Sequence, residues 1–203
     1  NDYFSDGMTE SLISALSKVE GLTVISRGSV FRFKGQEVDP REVGKQLNVA
    51  AVLEGSVRKD GETVRVAVRL VSADDGRVLW TSEQYNRTMQ DIFGLQDDIA
   101  RSTVAGLKVK LSGEGDARLA RRYTDNVQAY QLYLNGRYYW NKRTEEGLKK
   151  GIDYFEQAIA EDPRYAQAYA GLADSYILMG VGDYGVLPPK EAMPKAKAAA
   201  LKA

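Results

Sequence analysis

The chain has 203 residues, of which 43% are apolar and 28% are charged, and its 28 basic and 28 acidic side chains cancel to a formal net charge of zero. That balance is typical of globular domains and gives no overall field that favours nucleic acid or an anionic membrane. The absence of His and Cys excludes imidazole bases, thiolate nucleophiles, disulfides and zinc sites built from these residues.

The first fifty residues are expected to contain two helices and a strand. Apolar residues at helical spacing predict a helix over about 6–19, and the apolar run 22–26 predicts a short buried strand. Pro40 directly after Asp39 is typical of a helix start, which predicts a second helix over about 40–48.

Three strands of an antiparallel meander are expected next. Asp-Gly pairs at 60–61 and 75–76 predict hairpin turns between strands 51–58, 63–70 and 78–85. Val and Leu alternate with polar residues along the middle strand, so one of its faces should be buried. A long helix over about 89–111 can cover that face.

The chain divides into two domains in this interpretation. A mixed α/β domain of the α+β class occupies residues 1–112, a Gly-rich and charged linker occupies 113–124, and an all-α region of helical hairpins occupies 125–203.

The helical region resembles tetratricopeptide repeats, which bind other proteins. One repeat opens with aromatic, Leu and small residues at fixed spacing, and the preceding repeat closes with a small residue, an aromatic, Ala and Pro. These positions are Tyr169, Leu172, Ala173, Tyr176, Gly151, Phe155, Ala158 and Pro163. About two repeats are expected, the second truncated.

The N-terminal domain resembles the TolB amino-terminal-like domain, which is related to the FlgO-like domain. Five sequence blocks carry this resemblance, at residues 3–10, 24–27, 33–35, 52–57 and 91–96. Members of that family begin with a strand of the type V-L-P-F that precedes the first block, and this strand is missing here. We therefore expect an incomplete sheet with an unpaired edge, and self-association through it.

Domains of this kind followed by such repeats are found in bacterial class III adenylate cyclases, Ser/Thr kinases and winged-helix regulators. The resemblance implies a non-catalytic scaffold or sensory module of a larger bacterial signalling protein. A regulatory fragment of a cyclase or kinase, and an envelope-assembly component, remain the alternatives. We expect no enzyme activity, no catalytic residue, no metal and no cofactor; the compartment, cytoplasmic or periplasmic, is not assigned.

The partner is expected to be a protein or peptide bound by the inner helices of the repeats, with no nucleic acid contacted and no membrane span. Helical spacing places Tyr133, Arg137 and Trp140 on one stripe, distinct from the packing stripe of Leu132, Gly136 and Tyr139. The inner-helix positions that line the groove in this family are Gln167, Ala170, Asp174 and Ile177. Aromatic and Arg side chains are the usual anchors of protein contacts. Packing between helices is the alternative role for these residues.

A second candidate site is a cationic loop after the predicted strand 22–26. Arg27, Arg32 and Lys34 would suit an anionic ligand or the carboxylates of a partner. Ordinary surface charge is the competing interpretation, as it is for Arg118, Arg121 and Arg122. The glycines at 113 and 115 and the acidic pairs at 74–75 and 97–98 are interpreted as linker and solvated charge.

Overall fold

The computed structural model describes residues 2–109, 123–181, 184 and 186–203. Backbone contacts divide these residues into two compact units, one formed by residues 8–109 and the other by residues 2–7 together with 123–203. Most of the expected linker lies outside the described residues, so the domain bounds at 112 and 124 stay a prediction.

Four helical segments precede the sheet in sequence. They are the helices α1 (Asp2–Leu16), α2 (Arg27–Val30) and α3 (Pro40–Leu47), and a 3-10 turn at Phe31–Phe33 that follows α2 directly. Helix α1 starts and ends a few residues earlier than its apolar spacing indicates.

The expected strand at 22–26 is wrong: the segment has no regular structure. Leu22 and Val24 still pack against a buried cluster that includes Leu16, Ala100 and Val104. The apolar residues of the segment 22–26 therefore indicated its packing against the core correctly. A strand also needs a neighbouring backbone to pair with, and residues 22–26 pair with none of the described strands.

Helix α3 begins as predicted at Pro40, behind the cap residue Asp39. The Asp39 carboxylate accepts a hydrogen bond from the backbone N–H of Arg41 at 2.9 Å, and Arg41 Nε donates to both of its oxygens at 3.0 and 3.1 Å. These bonds, above all those from the Arg41 side chain, lower the pKa of Asp39 from 3.8 to about 2. The ionised cap therefore stabilises the fold at neutral pH.

This shift predicts a pH dependence of stability. Because the folded pKa of Asp39 is depressed, its contribution is complete above about pH 4 and is lost as the pH falls toward 2. Asp39→Asn should make the urea midpoint of the unit at residues 8–109 fall less steeply as the pH is lowered over this range. Glu20→Gln, which removes an exposed carboxylate outside α3, should leave that pH dependence unchanged. Equal acid sensitivity of the wild type and Asp39→Asn would contradict the assignment.

The sheet of the first unit has four antiparallel strands: β1 (Ala51–Asp60), β2 (Thr63–Ser72), β3 (Val78–Thr81) and β4 (Tyr85–Thr88). β1 pairs with β2 along its whole length, from Ala51 opposite Ser72 to Asp60 opposite Thr63. Gly61 and Gly76 occupy the two turns with positive φ, at 56° and 73°, which confirms both Asp-Gly turns.

The third predicted strand, 78–85, is shorter than expected, because β3 ends at Thr81 and a separate fourth strand, β4, begins at Tyr85. β3 and β4 pair with different parts of β2. Ser82 marks the break. Its backbone N–H donates to the Val68 carbonyl at 2.8 Å, and its hydroxyl accepts from the Val68 backbone N–H at 2.9 Å. A side chain thus replaces one backbone partner where the strand bends.

One face of β2 is buried, as its alternation predicts. Val64, Val66 and Leu70 are at most 2% exposed. Helix α4 (Ile92–Gly106), which follows a 3-10 turn at Met89–Asp91, packs against this sheet and buries Ile92, Leu95 and Ile99. The hydrophobic core of this unit therefore lies between the sheet and α4.

The second unit is helical. Its main helices are α5 (Val127–Trp140), α6 (Glu145–Glu161), α7 (Ala166–Gly180) and α8 (Pro189–Ala200). Each packs against the next, and α5 also contacts α7. An α+β unit followed by an all-α region confirms the predicted fold class. Within the described ranges, no helix combines the length and the hydropathy that crossing a bilayer requires.

Phe155 on α6 is the centre of the helical packing and is fully buried. It lies between a glycine of α5 and a glycine of α7. A Cβ added at Gly136 or at Gly171 would come within 2.6 Å of the Phe155 ring. The two glycines are therefore holes for one aromatic side chain, and they allow α5 and α7 to approach α6 closely.

Side chains also close the α5–α6 hairpin at its open end. Thr124 Oγ1 donates to Asp162 Oδ2 at 2.6 Å, and Asn126, the N-cap of α5, donates through Nδ2 to the carbonyl of Glu161 at 3.0 Å. The bond from Thr124, with one from the Arg164 backbone, lowers the pKa of Asp162. No sequence pattern predicted the bond between Thr124 and Asp162, because the two residues are 38 positions apart.

Candidate functional site

The predicted partner residues divide between two helices that contact each other. Tyr133, Arg137 and Trp140 lie on α5, and the other four lie on α7. On α7, the exposed residues Ala170, Asp174 and Ile177 follow one another at helical spacing. We call the surface formed by the seven predicted residues the α5–α7 face.

An ion pair joins the two helices across this face. Arg137 Nη1 lies 3.8 Å from Asp174 Oδ2, and the side chains are 20% and 50% exposed. The distance is longer than a hydrogen bond and Asp174 is largely hydrated, so the pair contributes little to stability. Its importance is positional, because it places opposite charges next to each other on an accessible surface.

Two exposed apolar side chains lie at the C-terminal end of α7 and just beyond it. Ile177 is 43% exposed and Val181, four residues further on, is 44% exposed. Both are among the few large apolar residues that are exposed in the described part of the chain. Exposed apolar side chains beside charged ones are characteristic of surfaces that bind proteins.

Trp140 occupies the end of α5 and carries two cations against its ring. The Cζ atoms of Arg137 and Arg143 lie 4.4 and 3.6 Å from the ring centroid. The ring also packs against a cluster that includes Leu148, Ile152 and Met179. Trp140 thus has a structural role and a cationic environment at the same time.

Tyr133 has more of a packing role than its predicted position suggests. Its ring centroid lies 5.8 Å from that of Phe155 and 5.2 Å from that of Tyr165. The side chain is half-buried and belongs to the core around Tyr165. Because α5 packs against both α6 and α7, residues on two of its stripes become buried, and the expected separation between a packing stripe and a binding stripe does not hold for Tyr133.

Gln167 is also half-buried, and its Oε1 accepts a hydrogen bond from the hydroxyl of Tyr165 at 3.4 Å. Burial raises the pKa of that Tyr165 hydroxyl far above its ordinary value, so it stays protonated as a donor. Gln167 therefore lies at the buried end of the face, whereas Asp174 and Ile177 lie on its open part.

The cationic candidate segment at 27–34 is helical, not the loop after a strand that the sequence predicts. Arg27 Nε lies 2.5 Å from Glu10 Oε1, and its Cζ lies 3.6 Å from the Phe31 ring. Arg32 Cζ lies 4.7 Å from the Phe33 ring. Arg27 is therefore already paired with a carboxylate of its own chain, and an anionic ligand would have to compete with Glu10.

The other charged candidates form no site in the described ranges. Asp75 belongs to the turn before β3, where bonds from Ser72 and Arg77 lower its pKa. Asp98 lies 3.9 Å from Arg87. In the described part of the chain, no three Asp or Glu side chains converge to hold a metal ion. The glycines at 113 and 115, and Arg118, Arg121 and Arg122, lie outside the described residues.

Sequence reasoning missed three residues of the helical unit that matter here. Arg143 and Val181 flank the α5–α7 face, and Gly171 is the second hole for Phe155. Gly171 was detectable in principle, because a glycine inside a helix costs stability unless packing requires it. The contact between Arg143 and Trp140 depends on a left-handed backbone at Arg143, with φ of 53°, which no sequence pattern indicates.

Comparison with known proteins gave two matches. A family model described as the HilA/YgeH-like transcriptional regulator, second domain, matches residues 1–102. A protein of Rhizobium meliloti (strain 1021) named "Putative adenylate cyclase 3" is 36% identical over 171 residues. That alignment covers 84% of this chain and 29% of the relative, so the chain corresponds to a minor part of the relative's length.

Proposed function

Because the chain belongs to the family of HilA/YgeH-like transcriptional regulator second domains, we propose that it is a non-catalytic, protein-binding module of a larger bacterial signalling or regulatory protein. Its partner is a protein or peptide segment that binds the α5–α7 face. The observation that carries this proposal is the juxtaposition on that face of a solvent-accessible ion pair, Arg137 with Asp174, and an exposed apolar residue, Ile177.

Two finer assignments belong to this proposal. The helical unit is a pair of tetratricopeptide-type hairpins, which is supported by the succession of packed helices and by Phe155 between Gly136 and Gly171. The α+β unit is a TolB amino-terminal-like domain, which is supported by five sequence blocks that lie within the family match at 1–102. Both assignments favour binding over chemistry as the task of the chain.

The second candidate function is regulation of an attached enzyme, and the similarity to the Rhizobium meliloti protein favours it. In that case the chain is the regulatory part of an adenylate cyclase, and a partner bound at the α5–α7 face changes the activity of a catalytic domain elsewhere in the protein. The test is to measure cyclase activity of the full-length protein with and without the Asp174→Ala change. A response to the partner that Asp174→Ala abolishes would support regulation.

A direct test of binding begins by identifying the partner. A photo-crosslinking amino acid in place of Ile177, which is exposed on the face, should capture it, whereas the same amino acid in place of Lys149, which is paired with Glu145 on α6, should not. Capture from both positions in equal yield would point to non-specific contact and would contradict the proposal.

With that partner in hand, Arg137→Ala and Asp174→Ala should each weaken binding by about 2 kcal/mol, because truncating a charged residue that becomes buried in an interface leaves its partner group unpaired. Both variants should keep the wild-type helix content by circular dichroism, since the two charges are 3.8 Å apart and Asp174 is half-exposed, so the pair contributes little to stability. Lys149→Ala is the matched control and should leave the affinity unchanged. Isothermal titration calorimetry measures all three, and unchanged affinity of both face variants would refute the assignment.

A further inference from the structure

Trp140 carries an indole N–H that makes no hydrogen bond within the described part of the helical unit. Its Nε1 is shielded from solvent and has no hydrogen-bond partner among the residues that the structure describes. Buried donors are nearly always paired in folded proteins, and an exception requires an explanation. Because the indole N–H is a donor only, what it lacks is an acceptor.

Two cations lie against the indole ring that carries this donor. The guanidinium of Arg143 is the nearer of the two that lie against the indole, at 3.6 Å from the ring centroid, and Arg137 is the other. The Arg143 side chain is exposed, and within the described ranges no carboxylate lies close enough to form an ion pair with it. An acceptor that approached the Trp140 N–H would therefore meet positive charge, which favours an anion.

The backbone holds Arg143 in this place. Its φ of 53° lies in the left-handed region, where residues other than glycine are uncommon, and its N–H donates to the Trp140 carbonyl at 3.3 Å. The turn after α5 thus returns the chain toward the ring of Trp140. A glycine would adopt this turn more easily, but it would remove the guanidinium from the indole.

We propose that Trp140 and Arg143 form a carboxylate-binding subsite, which accepts an Asp or Glu side chain of the protein segment bound at the α5–α7 face. This inference rests on the proposed function and names the chemistry of the partner. One carboxylate oxygen accepts from Trp140 Nε1, and the guanidinium of Arg143 pairs with the same carboxylate. Binding requires a side-chain movement that opens the shielded indole N–H, and the exposed Arg143, stacked on the same ring, is a neighbour with room to move.

The neighbouring residues favour a carboxylate of a peptide over a phosphate. Asp174 lies beside Arg137 and repels a dianion more strongly than a single carboxylate. Ile177 on α7 and Val181 just after its end are both exposed and offer apolar contacts that a peptide can use and an inorganic anion cannot. The partner segment is therefore expected to combine an acidic side chain with apolar ones.

The test uses the 203-residue chain and glutarate as the probe. The chain has two Trp residues, Trp80 in the α+β unit and Trp140 in the helical unit, so two indole N–H signals report separately in an NMR spectrum. Glutarate should shift the Trp140 indole proton downfield and saturably, because a charged acceptor deshields a donated proton, while Trp80 stays in place. Neutral glutaramide and an equal ionic strength of sodium chloride should leave both signals unchanged.

Two variants show which residues hold the probe. Arg143→Gln should weaken the glutarate response about tenfold, as expected for the loss of a charged partner. Lys149→Gln, which removes a positive charge that is paired with Glu145, should change it little. The loss of one charge is the same in both, so a difference between them reports the position of Arg143 and not the net charge of the chain.

Four outcomes of the glutarate titration would contradict the inference. No shift of Trp140, an equal shift of Trp80, or an equal response to glutaramide would exclude a carboxylate subsite, and a tighter response to inorganic phosphate would assign the site to a different anion. Failure of the carboxylate subsite can be distinguished from failure of the proposed function. If the captured partner still loses affinity with Asp174→Ala while glutarate leaves Trp140 unmoved, the face binds a partner and the subsite does not exist.

Discussion

Replacing Phe155 with Ala should lower the free energy of unfolding of the helical unit by about 3–5 kcal/mol, the range for deleting a fully buried aromatic side chain. The ring fills the space between Gly136 and Gly171, and neither glycine has a side chain that could collapse into the cavity. Urea unfolding followed by Trp140 fluorescence in a Trp80→Phe background measures this unit separately.

The same packing predicts that the effect of Gly171→Ala depends on Phe155. With the ring present, the new methyl group comes within 2.6 Å of it and should cost about 1–3 kcal/mol of overpacking, which offsets the gain of about 1 kcal/mol in helix propensity. In the Phe155→Ala background the methyl group enters a cavity, and Gly171→Ala should become neutral or stabilising.

Ala170→Gly, which changes the exposed neighbour of Gly171 on α7, is the control that completes this double-mutant cycle. It should have the same effect, about 1 kcal/mol of helix propensity, with and without Phe155. If Gly171→Ala also has one effect in both backgrounds, Phe155 does not lie between the two glycines as described.

The second large effect is expected at Gly55 in β1. A Cβ at this position would collide with the carbonyl oxygen of Ala67 and approach the Cα of Val68 to 3.2 Å. Both atoms belong to the backbone of β2, which cannot move aside without breaking its pairing with β1. Gly55→Ala should therefore cost about 3 kcal/mol, at the upper end for overpacking.

Ser56→Ala is the matched control for Gly55→Ala, because it changes the adjacent exposed residue of the same strand and adds no atom. It should alter stability by less than about 0.5 kcal/mol. Trp80 fluorescence in a Trp140→Phe background reports unfolding of the α+β unit. Equal stability of the two variants would show that β1 and β2 do not approach as closely at Gly55 as the structure indicates.

Local sequence signals were sufficient for much of this fold. The alternation in β2 identified its buried face, the two Asp-Gly pairs identified the turns, and Asp39 with Pro40 identified the start of α3. Each of these features depends on residues that are neighbours in sequence. The spacing of apolar residues along an element shows its buried face even when the element that packs against it is unknown.

The predictions failed where the structure of a segment depends on a residue or strand that is distant in sequence. Residues 22–26 have the composition of a strand, but a strand forms only beside another strand, and the sequence cannot say whether one is available. The break between β3 and β4 likewise depends on Ser82 bonding to Val68, across the sheet. The burial of apolar residues is thus predictable from local pattern, whereas strand pairing, and with it the assignment of a short segment as a strand, is not.

For the candidate site, sequence spacing selected Arg137 and Asp174 separately, and the structure brings them together. The same spacing did not reveal that Tyr133 packs against Phe155 and Tyr165, because α5 has neighbours on two sides. Arg143 lies outside the helical period altogether. Its contact with Trp140 comes from the turn that follows α5.

Hydrogen exchange of the chain, with and without the partner captured at Ile177, tests the central claim most directly. The account predicts slower exchange over residues 127–140 and 166–181, which carry the α5–α7 face, and unchanged exchange over 27–34. Protection confined to residues 27–34, with 128–178 unchanged, would move the binding surface to the α+β unit and contradict the account.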